Sequence, residues 1–154
     1  MNIEIRKGLL SDRDVIAGFQ VEMAWETEHF KLDLPTVLKG VEAVLNNERL
    51  GIYYLAIVDD KVVGSLLTTY EWSDWRNGTV LWIQSVYVDS QYRKLKIYAT
   101  LYRYIKTLVV ADLTLKGIRL YVDESNTAAR EVYSRLGMNG EHYRVFEWMK
   151  QSDS

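Results

Sequence analysis

Residues 79–98 restrict the fold more than any other part of this chain. An apolar run of strand character, residues 79–88, leads into Asp89, Ser90, Gln91, Tyr92, Arg93, Lys94, Leu95, Lys96 and Ile97. An amphipathic helix follows, marked by Tyr98, Leu101, Tyr102, Ile105, Leu108 and Val109 at helical spacing. A short apolar run at residues 118–122 reads as the next strand. A helix between two strands implies a parallel crossover, so the sheet that holds them is mixed. The loop before the helix has its own chemistry. Backbone N–H groups at a helix N-terminus lack intrahelical partners and lie at the positive end of the dipole, so an anion fits there.

The remaining segments complete a mixed α/β pattern. Residues 3–6 alternate as a short strand would. Ser11, with Asp14 three residues on, predicts the N-cap of a first helix carrying Val15, Ile16, Phe19 and Met23. Asp33, Leu34 and Pro35 predict a second helix start, followed by Val37, Leu38, Val41, Val44 and Leu45. Residues 53–58 and 62–70 read as strands joined at Asp59, Asp60 and Lys61, and Asn77-Gly78 is a turn signal. Residues 127–136 read as a helix stopped by Gly137, and residues 143–149 as a last strand. The predicted order is β-α-α-β-β-β-α-β-α-β. It makes one domain over residues 1–150 with a frayed tail at 151–154, and a twisted mixed sheet of roughly six to seven strands flanked by about four helices.

Composition excludes several classes of function. A net charge of −2 leaves no basic footprint for nucleic acid. The absence of cysteine removes disulfides, thiolate metal sites and a thiol nucleophile. His29 and His142 are the only histidines, too few for a metal cluster. No apolar run approaches the ~20 residues that span a membrane, and no signal-peptide core is present, so a cytoplasmic location is expected. Five Trp and eleven Tyr are more unusual. Several cluster between Tyr70 and Tyr92, which suits an aromatic-walled cleft or a subunit interface.

Three local signals make the chain resemble the GNAT N-acetyltransferases over essentially its whole length. The first is Ser85-Val86-Tyr87-Val88, followed by Arg93 and a helix. The second is the stretch from Leu120 to Tyr133, similar to the family's strand and N-x-x-A-x-x-x-Y helix through Asn126, Ala129 and Tyr133. The third is Arg135-Leu136-Gly137-Met138, which resembles the family's turn after that helix. The resemblance implies acetyl-CoA as co-substrate. Its pantetheine arm would pair with Val86, Tyr87 and Val88, and its pyrophosphate would sit on Arg93, Lys94, Leu95, Lys96, Ile97 and Tyr98. Asn126 would bond the pantetheine, and Tyr133 would protonate the departing thiolate. On spacing alone, Asn126, Ala129 and Tyr133 share one helix face, where the small Ala129 leaves room for a ligand. A phenol with pKa near 10 suits protonation of a thiolate. The same position also suits an aromatic packed beside Val132 and Leu136.

The acceptor side is read from carboxylates. Some GNAT enzymes carry a Glu on the strand before the loop, where this chain has Gln84, which cannot accept a proton as a carboxylate would. Glu22, Glu26, Glu28 and Glu71 are then candidate proton sinks through water, and His29 a further base. Glu22 and Glu26 are spaced i, i+4 on the first helix, which lines the acceptor side in the family. Glu22, Trp25, Glu26, Glu71 and Gln84 form the expected substrate-binding set. Surface carboxylates of a solvated helix would have the same pattern. Acidic and aromatic residues together favour a small cationic amine over an acidic acceptor.

The loop departs from the family pattern R-x-x-G-x-G/A, because Lys96 and Tyr98 occupy its glycine positions. Two readings stay open. In one, Arg93, Lys94 and Lys96 form a cationic rim for an anionic ligand. In the other, Lys96 obstructs the pyrophosphate. The first gives an acetyl-CoA-dependent transferase acting on a primary amine of a small molecule or peptide. The second gives a GNAT-fold binding or regulatory protein. A homodimer is the assembly expected in either case.

Overall fold

A computed structural model describes residues 1–122 and 126–151. Asp123, Glu124 and Ser125 of the 120–133 signal, and residues 152–154 of the expected tail, lie outside the described residues. The chain forms two compact units, Met1–Leu120 and Tyr121–Ser154.

The first unit is a sheet of strand order β1-β2-β3-β4-β5 with three α-helices. Its elements are β1 (Glu4–Lys7), α1 (Arg13–Glu28), α2 (Leu34–Asn46), β2 (Ile52–Val58), β3 (Lys61–Ser73), β4 (Gly78–Val88), α3 (Ile97–Ala111) and β5 (Leu115–Leu120). The first four strands pair antiparallel in sequence order, and β5 joins β4 in parallel through the α3 crossover. The sheet is mixed, as the helix between two strands predicts. Among the described residues it has five strands rather than six to seven. Residues 143–149 form no strand, and Tyr143, Phe146 and Trp148 are exposed. Alternation shows which side chains would share a face, but a strand also needs a neighbouring edge for its backbone groups.

Local chemistry explains the joints. Asp59 and Asp60 both have positive φ (48° and 62°), the two-residue hairpin geometry whose twist matches the strands. Asn77 (φ 50°) precedes Gly78 where β3 turns into β4. Asp33 caps α2 by accepting the Thr36 N–H, with Pro35 in the first turn. The start of α1 differs from expectation. A 3₁₀ turn, Leu10–Asp12, precedes it, and Asp12 rather than Ser11 stands at the N-cap. Asp12 accepts the Leu9 N–H at 2.7 Å and two bonds from Arg6 of β1 at 2.8 and 3.1 Å. Arg6 is a charged partner from another element, which local spacing does not reveal. It holds the Asp12 carboxyl below its ordinary pKa.

Strand alternation divides the core into two layers. Tyr53, Leu55 and Ile57 face Ile16, Ala17 and Val41 of α1 and α2. Ile97, Leu101 and Ile105 of α3 are buried on the opposite side, where Tyr104 meets Tyr54 at 5.6 Å between ring centroids. Each fully buried aliphatic side chain contributes about 1.5–3 kcal/mol relative to exposure. Gly64 lets α3 approach the end of β4, because a Cβ there would lie 3.1 Å from the Tyr87 carbonyl and 3.3 Å from Ile97 Cγ2.

The second unit contains α4 (Thr127–Arg135). Asn126 is its N-cap, accepting the Ala129 N–H at 3.1 Å. Gly137, at φ 88°, ends it as the sequence predicts.

Candidate active site

The centre of the site is a change of register in β4. Leu67 of β3 pairs with Ser85, but the next β3 residue, Thr68, pairs with Ile83. Gln84 is the extra residue of a β-bulge. Its amide donates to Thr69 Oγ1 at 2.9 Å. The bulge reverses the parity of everything after it. Trp82 pairs with Thr69 and Tyr87 with Ser65, so an even and an odd residue of β4 point to the same face. That face is the one α1 covers, where Phe19 meets Tyr87 at 5.2 Å between ring centroids.

The bulge also marks where β4 and β5 part. Their ladder runs from Thr79↔Leu115 to Ile83↔Leu120, while the β3–β4 ladder continues to Gly64↔Val88. Among the described residues of the first unit, residues 84–88 therefore have one open edge. Its outward N–H and C=O groups, apart from the Val88 carbonyl that accepts from Arg93, can hydrogen-bond an extended chain of amides.

This edge leads directly into the loop. A 3₁₀ turn, Ser90–Tyr92, is fixed by Asp89, which accepts the Gln91 N–H at 3.0 Å and donates its own N–H to Val63 at 2.8 Å. Lys61 lies over the Tyr92 ring at 5.4 Å. Lys94 and Lys96 then adopt φ of 68° and 64°. This is the left-handed conformation that glycine adopts most readily, here formed by two lysines at a cost of about 1–2 kcal/mol each. Lys96 is the N-cap of α3 and gives its first turn no side-chain cap. Among the described residues neither lysine ammonium has a hydrogen-bond or ion-pair partner. Leu95 is partly exposed, Ile97 is buried under the sheet and Tyr98 lies in the first turn of α3.

Arg93 is committed differently. Its Nε donates to the Val88 carbonyl at 3.0 Å, and its NH2 group donates to Glu26 Oε2 at 2.6 Å. The guanidinium also lies 5.3 Å over the Tyr87 ring. The Tyr87 hydroxyl donates to the other Glu26 oxygen at 3.0 Å. Burial, then the bond to Glu26, pushes the Tyr87 phenol up to about 12. Glu26, expected on the acceptor side, thus meets two residues expected on the cofactor side. Sequence spacing carries no signal of this, since Arg93 lies 67 residues from Glu26.

Glu22 is exposed one turn before Glu26. Trp25 is exposed and meets His29 edge-on at 5.4 Å, with His29 ending α1 at φ 51°. Glu71 lies on the same face of the sheet, farther along β3. It accepts Trp82 Nε1–H at 2.6 Å and two bonds from Arg119 at 2.9 and 2.7 Å. Trp82 first, and then Arg119, lowers its pKa, so Glu71 is a structural carboxylate in a three-strand cluster. In the second unit, Ala129 and Tyr133 are half-buried on one side of α4. No group of metal-ligating side chains occurs among the described residues, nor any helix long and apolar enough to cross a membrane.

Solved structures share this architecture. A possible acetyltransferase from Clostridium difficile 630 is 45% identical, with a TM-score of 0.91 over 99% of this chain and 100% of that one. An aminoglycoside acetyltransferase from an uncultured soil metagenomic sample, in complex with sisomicin, is 16% identical, with a TM-score of 0.75 over 97% of each chain. An aminoglycoside N-acetyltransferase in complex with CoA is 15% identical, with a TM-score of 0.77 over 98% of this chain and 96% of that one. At these lower identities the likeness is one of fold. No curated protein sequence matches the chain. The model of the acetyltransferase (GNAT) family matches residues 13–138, which include the bulge, the open edge, the loop and α4. With a family model over most of its length and an architecture that agrees, the chain belongs to the GNAT acetyltransferase family.

Proposed function

We propose that the protein transfers an acetyl group from acetyl-CoA to a primary amine of a small molecule or peptide. The open β4 edge at residues 84–88, running into an α3 N-terminus without a side-chain cap, carries this reading. Val86, Tyr87 and Val88 would pair with the pantetheine amides, and the α3 amides with Lys94 and Lys96 would hold the pyrophosphate. The loop geometry favours the cationic rim over obstruction. Lys96 already has the φ a glycine would supply, and its ammonium is available to an anion.

In the reaction a neutral amine attacks the thioester carbonyl. Acetyl-CoA would supply the activated acetyl group, and Tyr133 would give the proton that the departing CoA sulfur takes up as the amide bond forms. A backbone donor stabilises the transient oxyanion. The amine's own proton leaves through water toward Glu22, since Gln84 is an amide and Glu71 is held by Trp82 and Arg119. The acidic face of α1 favours a cationic amine. The aminoglycoside enzymes that share the fold act on acceptors of that character.

Calorimetry with acetyl-CoA tests the reading first. Micromolar binding is expected, and an amine screen should then show turnover that Tyr133→Phe lowers by about 100-fold with cofactor affinity unchanged. A folded protein giving no heat at millimolar acetyl-CoA would sink it.

A further inference from the structure

The loop has three cations, but only two are available to an anion. The Lys94 and Lys96 ammonium groups have no hydrogen-bond or ion-pair partner among the described residues. Arg93 is paired with Glu26 and also bonded to Val88, the last residue of the open edge. Glu26 is itself fixed from its other oxygen by Tyr87, which the β4 bulge turns toward α1. One carboxylate therefore ties the acceptor-side helix to the loop and neutralises the residue best suited to grip a phosphate in two places.

We propose that Glu26 is a positioning residue that acts through Arg93. Its carboxylate holds the guanidinium against α1, and a ligand carrying a pyrophosphate competes with it for that guanidinium. The proposal rests on the acetyl-CoA reading above. Arg93 and Glu26 side chains are 45% and 35% exposed, so the pair is a modest one and a phosphate group can displace it. Displacement leaves Glu26 on the Tyr87 hydroxyl, with its charge no longer matched by Arg93. Cofactor binding would in this way change the charge presented by the acceptor-side helix.

The test is calorimetry with CoA and with pantetheine, which lacks the pyrophosphate. Glu26→Gln keeps the shape and one acceptor oxygen but removes the competing charge. It should bind CoA about two- to fivefold more tightly and leave pantetheine affinity unchanged. Glu26→Asp, which keeps the charge, should show no such gain. In an Arg93→Ala background, Glu26→Gln should also give no gain, because its effect runs through the guanidinium. CoA binding that is equal or weaker in Glu26→Gln overturns the proposal and leaves the acetyl-CoA reading standing. So does a gain that pantetheine shares or that survives without Arg93. Folded wild-type and Glu26→Gln proteins that both fail to bind CoA overturn the acetyl-CoA reading, and the proposal with it.

Discussion

Two carboxylates on the same face of the sheet are held by the same chemistry in different surroundings. Glu71 accepts from Trp82 and Arg119, and Glu26 from Tyr87 and Arg93. In each case an aromatic donor and a guanidinium share one carboxylate. The Glu71 group spans β3, β4 and β5, where the strand ladders fix all three backbones. The Glu26 group joins a helix, the open end of β4 and a loop with two lysines at positive φ. The first reinforces a geometry that the sheet already sets. The second restrains a loop that lies beyond the strand ladders, which is why its partners are proposed to change when a ligand arrives.

Removing one arginine from each group should separate these roles. Arg119→Ala is expected to cost about 1–2 kcal/mol of stability, discounted for partial exposure, and to leave CoA affinity alone. Arg93→Ala should barely move the unfolding midpoint but weaken CoA binding about tenfold, the loss of one charge-assisted contact. Denaturant unfolding and calorimetry on both variants would break the comparison if the two effects were exchanged.

A smaller effect should appear at low pH. Glu71 has a folded-state pKa below its ordinary 4.5, so its contribution is complete above that value and is lost as pH falls through the folded value. Glu71→Gln should therefore have a flatter acid limb in stability against pH than the wild type. An unchanged limb would mean that the Trp82 and Arg119 bonds do not favour the charged form.

Much of the frame was legible because its signals are local. Asn77-Gly78, Asp33 with Pro35, the periodicity of α3 and Gly137 each act within a few residues, and each is found where expected. The site was legible as a strand, a loop and a helix, but not in its connections. No residue type announces the Gln84 bulge, which emerges only when β4 is aligned with β3. Lysine is not a sequence signal for positive φ, so the glycine-like course of the loop was hidden behind Lys94 and Lys96. Arg6 with Asp12, and Arg93 with Glu26, are pairs made by the tertiary fold, and the first displaced the cap expected at Ser11. Residues 143–149 show the converse, a clear alternation without a ladder.

The smallest expected effect concerns the loop itself. Lys96→Gly should raise stability by about 0.5 kcal/mol, the left-handed strain relieved less the extra freedom of an unfolded glycine. It should also lower CoA affinity by removing a cation from the rim. Tighter binding in this variant would restore the obstruction reading and dissolve the contrast between a loose loop and a fixed sheet.

The two short turns of the sheet also set the entropy of building the binding strand. Asp59 and Asp60 close β2 on β3, and the Asn77-Gly78 turn closes β3 on β4, each by ordering only a few linking residues. Bringing β5 beside β4 requires the whole of residues 89–114, loop and helix together. Closure entropy rises with the length of chain enclosed. The bulge and the open edge thus belong to the meander whose assembly orders the least chain, and the strand that leaves this edge uncovered joins it only through a crossover far longer than either turn.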